Sequence, residues 1–421
     1  TMTVRTTRLD SGLTVATDTM PDVETVALGA FVGVGTRHEP ARLNGVAHLL
    51  EHMAFKGTAR RSARDIAEEI EAVGGQLNAY TGRESTAFHA KVLKEHMPVA
   101  LDILADILTT ARLEAEELNR ERQVVLQEIG QAQDTPDDII FDLVQETAFP
   151  EQGVGRPVLG RPEIVSRLSA EDLRGYMSAF YGPRHMVVAA AGKIEHDDFV
   201  ARVAERFRDL PAGQAASDAP ARYIGGDYRE TRELEQVHVI FGLPGVGFRD
   251  PDYYTAAVLA TLLGGGMSSR LFQKLREERG LVYSVFAFHA AALDSGLFGV
   301  YAGTGAEQAP ELLPVICEDI ADLATHAVAQ GELDRARAQL KASILMGQES
   351  TGGRCEQLAN QLLIYGRPVP PAEIVESIAA VDAGRLRALA ARLAANRPTL
   401  ASLGPVAGIE SHDRLAARLA A

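Results

Sequence analysis

The chain has 421 residues, 46% of them hydrophobic, and 57 acidic against 42 basic side chains give a formal net charge of −15. That length is long for one core and predicts two or more domains, and no uninterrupted apolar run approaches the ~18 residues of a membrane-spanning helix. The acidity argues against nucleic acid as a partner, since phosphate binding needs a basic surface, and is compatible with basic peptides.

The opening residues, Thr1 to Arg8, lack the apolar stretch of a secretory signal, so a cytoplasmic location is expected. The excess of arginine over lysine is the usage of a GC-rich bacterial gene. Strand-like runs follow at Leu13 to Thr17 and Thr25 to Val34. Next, Val46, Leu49, Leu50, Met53 and Ala54 fall at i, i+3, i+4, i+7 and i+8, the pattern of an amphipathic helix. On its opposite face His48, Glu51 and His52 lie within about 100° of one another. Two imidazoles at that spacing can reach one point at ~2.0–2.1 Å, the Zn–N distance. The carboxylate between them is placed to take a proton from a water that the metal acidifies. The plain alternative is a solvated polar face with two histidines by accident.

A helix over Ala63 to Val73, a Gly74-Gly75 break and the paired strands Gln76 to Tyr80 and Ser85 to Val92 come next. Helices follow near Pro98 to Ala111 and Ala115 to Gln133. On the latter, Glu121 and Glu128 stand about 20° apart around the axis, among Leu118, Val124, Val125 and Ile129. A carboxylate on an apolar face is costly without a cation, so each is expected to meet a metal or an arginine. Arg120 and Arg122 keep the salt-bridge reading open. A loop-rich stretch through Gly153, Gly155, Pro157, Gly160 and Pro162 leads to a helix near Ala170 to Phe180 and a buried strand at Met186 to Ala191.

The connector lies at Pro211 to Gly226, rich in Ala, Gly, Ser and Pro, and after it the order of elements recurs. Val237 to Leu243 reads as a strand, Tyr253 to Leu263 as a helix, Gly264-Gly265-Gly266 as a turn and Ser268 to Arg279 as a helix. Val282 to Ala291 and Leu297 to Gly303 read as a strand pair. The second half has no H-x-x-E-H, so one metal site per chain is expected. Cys317 and Cys355 sit in no C-x-x-C pattern and read as small buried thiols. The mixture indicates an α+β fold with domains at 1–210 and 236–421 joined through 211–235.

The motif His48-Leu49-Leu50-Glu51-His52, Asn44-Gly45 before it, Met53-Ala54-Phe55-Lys56-Gly57-Thr58 after it, Glu128 76 residues beyond His52 and Glu121 seven before Glu128 together resemble one family. It is the M16 (pitrilysin- or insulysin-like, inverzincin) metallopeptidases, whose H-x-x-E-H inverts the thermolysin order, here of the short-chain processing-peptidase type. The resemblance implies one zinc ion per chain held by His48, His52 and Glu128, Glu51 as general base and Glu121 as a support that steadies the site. It implies that Arg276 and Tyr283, seven apart, hold substrate and the developing oxyanion, although alone they are ordinary structural residues. It also implies that Gln76 to Tyr80 accepts an extended peptide as an added strand, with Asn78 and Ala79 making the contacts, against the plain reading of a covered sheet strand. Two homologous domains are implied, each a mainly antiparallel sheet with helices on one face, forming half of a clamshell chamber.

A chain of this length is of the kind that pairs to complete such a chamber, as a homodimer or with an inactive homologue. The expected function is zinc-dependent cleavage of unfolded oligopeptides or presequence-like basic peptides. The competing class is a non-catalytic structural or assembly subunit, related to core proteins of respiratory complexes, which would bind no zinc.

Overall fold

The computed structural model describes residues 3–217 and 219–420. The chain builds two compact units, each around one sheet. In the first, β1 (Val4–Arg8), β2 (Thr14–Thr19), β3 (Thr25–Val32), β4 (Gln76–Thr81), β5 (Thr86–Leu93) and β6 (Met186–Gly192) run in the order β1-β2-β6-β3-β5-β4. In the second, β7 (Gly226–Thr231), β8 (Val237–Pro244), β9 (Ser284–Ala291), β10 (Gly296–Thr304) and β11 (Thr399–Gly404) run in the order β7-β11-β8-β10-β9. Each sheet has one parallel pairing, β2 with β6 and β7 with β11, and is otherwise antiparallel. Without β1 the two strand orders are the same, so the recurrence in the sequence is a repeat of topology. β1 is absent from the sequence reading because VRTTR has neither apolar alternation nor a buried residue.

The helices of the first unit that matter for the site are α1 (Val46–Ala54), α2 (Ala63–Ala72), α3 (Met97–Thr110) and α4 (Ala115–Gln133). Val26, Leu28, Ala30 and Val32 of β3 meet Leu49, Leu50 and Met53 of α1 and Leu101 and Leu104 of α3 in one core. The alternate residues, Ala27 and Phe31, point the other way, and there Cys355, Leu358, Ala359 and Leu362 of the helix Thr351–Tyr365 cover them. A strand apolar on both sides needs cover on both sides. Each sheet therefore carries a helix on its second face, beyond the one-sided packing expected. In the second unit that cover is α5 (Pro136–Ala148), whose Ile139, Ile140 and Val144 pack with Ile240, Leu297, Tyr301, Ala401 and Leu403.

These covering helices make the units interleave along the chain. The first takes the residues up to Gly130 with Arg156–Ala219 and Met346–Val369, and the second takes Gln131–Gly155, Pro220–Leu345 and Pro370 onward. They are thus not the contiguous stretches on either side of the connector. The helix expected over Ser268 to Arg279 is present as a π-helix over Phe272–Glu278. Among the described residues no helix is long and apolar enough to cross a membrane. Cys317 and Cys355 are free and buried.

Candidate metal centre

α1 starts at a backbone position that only glycine tolerates. Gly45 has φ +101°, and a Cβ there would lie 2.8 Å from Val165 Cγ2 and 3.0 Å from the Gly160 Cα. Having no side chain, Gly45 cannot cap the helix, and a carboxylate from upstream does so instead. Glu39 Oε1 accepts from the Ala47 N–H at 2.8 Å, and Oε2 accepts from the Gly45 N–H and from Asn44 Nδ2, each at 3.0 Å. Glu39 is 2% exposed. Burial pushes its carboxyl up to about 7, against those donors and Arg156, which pull it down. The sequence reading missed Glu39; the readable sign was a helix start lacking Ser, Thr, Asp or Asn at its N-cap.

The helix buries Val46, Leu49, Leu50 and Met53 and turns His48, Glu51 and His52 toward β4 and α4. One donor atom each from His48, His52 and Glu128 lies within 4.8 Å of the others. Glu128 Oε2 is 3.7 Å from His48 Nε2 and 3.5 Å from His52 Nε2, too far for good hydrogen bonds. Ligand atoms on a tetrahedral zinc with bonds of 2.0–2.1 Å stand roughly 3.4 Å apart, so the spacing fits an ion between them. His48 Nδ1 is buried with no hydrogen-bond partner. Burial, reinforced by His52, pushes the His48 ring down to about 4, which leaves the neutral imidazole that a metal requires.

His52 is oriented by its second nitrogen, whose Nδ1 is 3.1 Å from Glu121 Oε2. With the proton on Nδ1, the Nε2 lone pair faces Glu128 and His48. Glu121 is itself buried, and its other oxygen meets Lys56 Nζ at 3.0 Å. Lys56 is a second residue the sequence reading missed, because its ammonium lies on the turn after α1. Neither arginine proposed as an alternative partner serves Glu121 or Glu128. Arg120 binds Glu116 and Glu117, and Arg122 binds Asn119 and the Leu168 carbonyl. Val124, grouped with the apolar face of α4, is instead 39% exposed, and the Glu128 side chain is 40% exposed. Glu128 therefore sits where that face opens, able to meet a cation and solvent together.

Glu51 Oε2 accepts from Thr81 Oγ1 at 2.6 Å. Burial raises the Glu51 carboxyl above the ordinary carboxylate range and Glu128 adds to the rise, while Thr81 and His52 oppose it. Thr81 is the third residue missed, one position beyond the strand read from the sequence. Asn78 and Ala79 lie on β4, which forms the edge of the first sheet, and the Ala79 N–H donates to Asn78 Oδ1 at 2.8 Å.

The structure thus brings together His48, Glu51, His52, Glu121 and Glu128, with Asn78 and Ala79 on the strand that touches Glu51. Arg276 and Tyr283 belong to the other unit. Arg276 is exposed on the π-helix, its guanidinium 5.1 Å from the Phe272 ring centroid. Tyr283 precedes β9, 63% exposed, with its N–H donating to the Gly303 carbonyl at 2.9 Å.

Comparison with known proteins adds the following. Residues 14–162 match the family model "Insulinase (Peptidase family M16)", and residues 167–340 match "Peptidase M16 inactive domain". An uncharacterized zinc protease of Streptomyces coelicolor is 39% identical over 99% of this chain and 92% of its own length. Zinc protease YmxG of Bacillus subtilis is 37% identical, covering 95% and 98%. The probable mitochondrial-processing peptidase subunit beta of Arabidopsis thaliana is 36% identical, covering 98% and 81%. Among solved structures, a chain of Complex III2 from Candida albicans has TM-score 0.88 at 21% identity, covering 99% of both chains. A peptidase M16 inactive domain from Pseudomonas fluorescens has TM-score 0.89 at 20% identity, covering 97% and 100%. These two likenesses concern the fold alone.

Proposed function

The chain belongs to the M16 family of metallopeptidases and is a zinc-dependent peptidase, and from that premise we propose that it is an endopeptidase for extended, basic peptides, with Glu51 as its general base. The observation that carries the reading is the convergence of His48, His52 and Glu128 beside a carboxylate held by a hydroxyl. His48, His52 and Glu128 would hold the zinc. When bound, the ion supplies a Lewis acid that acidifies water and polarises a carbonyl.

The residues divide the remaining work. Glu121 takes the Nδ1 proton of His52 as a hydrogen bond and keeps that ring turned toward the site. Glu51 removes a proton from the attacking water and returns it to the leaving amine, a double duty that suits a carboxyl raised by burial. β4 offers its edge to an extended peptide, whose main chain would pair at Asn78 and Ala79 with little regard to side chains. A net charge of −15 draws cationic peptides.

Arg276 and Tyr283 would hold the substrate and the developing negative charge. Their exposure supports use by a peptide, and in a pair of chains each copy would supply them to the other's site.

The test is hydrolysis of an internally quenched, arginine-rich peptide by the parent and by Glu51→Gln, with zinc measured in both after dialysis. Turnover by the parent and a loss of about 10²-fold or more in a variant that keeps its zinc are expected. A variant with full turnover refutes Glu51 as the base. Absence of both zinc and turnover in the parent would refute the peptidase reading and favour a non-catalytic subunit.

A further inference from the structure

We propose that Thr81 is a positioning residue for Glu51, its hydroxyl tying one carboxylate oxygen so that the other is presented for proton transfer. The inference rests on Glu51 being the base. A threonine hydroxyl has one hydrogen to donate, and Thr81 Oγ1 directs it to Glu51 Oε2 at 2.6 Å. A bond of that length from a hydroxyl to a carboxylate lies at the strong end of the range. Because the tied oxygen can accept in either protonation state, the tie survives both halves of a proton's transfer.

The hydroxyl is held on a framed strand end. Thr81 pairs with Thr86 across the β4–β5 hairpin, and the hydroxyl of Thr86 is directed to the Val34 carbonyl at 2.9 Å. The next residue, Gly82, donates to the Ser85 carbonyl at 2.7 Å, and its own carbonyl accepts from the N–H and the Oγ1 of Thr36, each at 3.1 Å. Gly35 packs so closely on this turn that a Cβ there would lie 2.3 Å from the Gly82 oxygen. The hairpin end is therefore clamped from the segment between β3 and α1.

Strand alternation supplies the direction. Leu77 and Ala79 point into the core beneath α1, and Thr81, of the same parity, reaches Glu51. Tyr80, of the opposite parity, turns to the other face, where its hydroxyl donates to Glu356 at 2.8 Å. The strand that would pair with the peptide main chain thus also sets the base. Peptide register and base orientation then share one rigid element, as a reaction sensitive to misplacements of about 1 Å requires.

The test compares Thr81→Val and Thr81→Ser with the parent and Glu51→Gln on the same quenched peptide, measuring kcat, KM, zinc content and melting temperature. We expect Thr81→Val to lose about 10- to 100-fold in kcat, part of what the base contributes, with KM and zinc content within about twofold. Thr81→Ser, which keeps the hydroxyl, should recover most of the rate. A parental kcat in Thr81→Val beside an inactive Glu51→Gln overturns the role of Thr81 and leaves Glu51 standing. Full turnover in Glu51→Gln overturns the base reading first. If Val and Ser are equally impaired, or the loss in Val follows lost zinc or a lowered melting temperature, Thr81 is scaffold and the inference fails.

Discussion

Glu39 shows how one buried side chain ties α1 to its surroundings. It meets the N-terminus of α1 as a carboxylate would, yet burial holds its carboxyl up at about 7 from an ordinary 4.5. Between those pH values the folded chain keeps a proton that the unfolded chain has released. The stabilisation from that proton is complete below about 4.5 and is lost as pH rises through about 7. Its slope approaches about 1.4 kcal/mol per pH unit. Glu39→Gln has no such proton, so in metal-free protein the parent should lose about 2–3 kcal/mol relative to the variant between pH 5 and pH 7.5. Urea unfolding of both at the two pH values measures this, and parallel pH dependences would contradict it. At the same scale, the common face of His48, Glu51 and His52 was legible in the sequence, because identity and spacing determine which side chains share a helix face, whereas Glu128 on another helix entered as a ligand only through the family resemblance. Lys56 and Thr81 were not legible, because a lone lysine or threonine at long separation from its partner leaves no periodic mark, and Glu39 was not, because a lone acid in the loop before a helix forms no pattern with the backbone N–H groups it meets.

Among the elements, the helix Thr351–Tyr365 has the least local reason for its place. It lies in the first unit although the chain reaches it only after ten of the eleven strands have been laid down. Its Cys355, Leu358, Ala359 and Leu362 cover Ala16, Ala27, Phe31, Ala87, Val187 and Ala189, a face that would otherwise be an extended apolar patch. A chain cut to residues 1–217 should therefore bind a hydrophobic dye and melt without cooperativity. The same fragment carrying residues 346–369 on a flexible linker should regain a cooperative transition. A sharp calorimetric transition in the short fragment would show that the sheet does without this cover. The apolar run of β6 read as a buried strand, but cover was expected on one face of the sheet alone; which helix supplies the second cover is a long-range contact and left no trace in either segment.

For the whole molecule, the open question is which copy completes which site. Under the proposed function, Glu51 of one chain works with Arg276 and Tyr283 of its partner. Chains carrying Glu51→Gln and chains carrying Arg276→Ala should then each be weak alone, yet regain activity when unfolded and refolded together. With free exchange of chains, half the dimers are mixed and each holds one intact site, so recovery approaches about a quarter of the parental rate. Mixtures no more active than the average of their parts would place both groups on the same chain or deny Arg276 its role.

What the sequence by itself determined was one polar helix face and the repeat. The face of α1 that carries His48, Glu51 and His52, the helix that bears Glu121 and Glu128, the α+β composition and the recurrence after residue 226 are all written in local identity and periodicity, which set helix faces and strand sides whatever the rest of the chain does. The tertiary structure alone decided that Glu128 rather than an arginine faces the two histidines, that Glu121 is shared between His52 and Lys56, that Thr81 holds Glu51, and that each sheet takes a covering helix from across the connector. Those outcomes depend on which buried faces and charges find partners at long sequence separation, a matter of packing and desolvation summed over the whole fold.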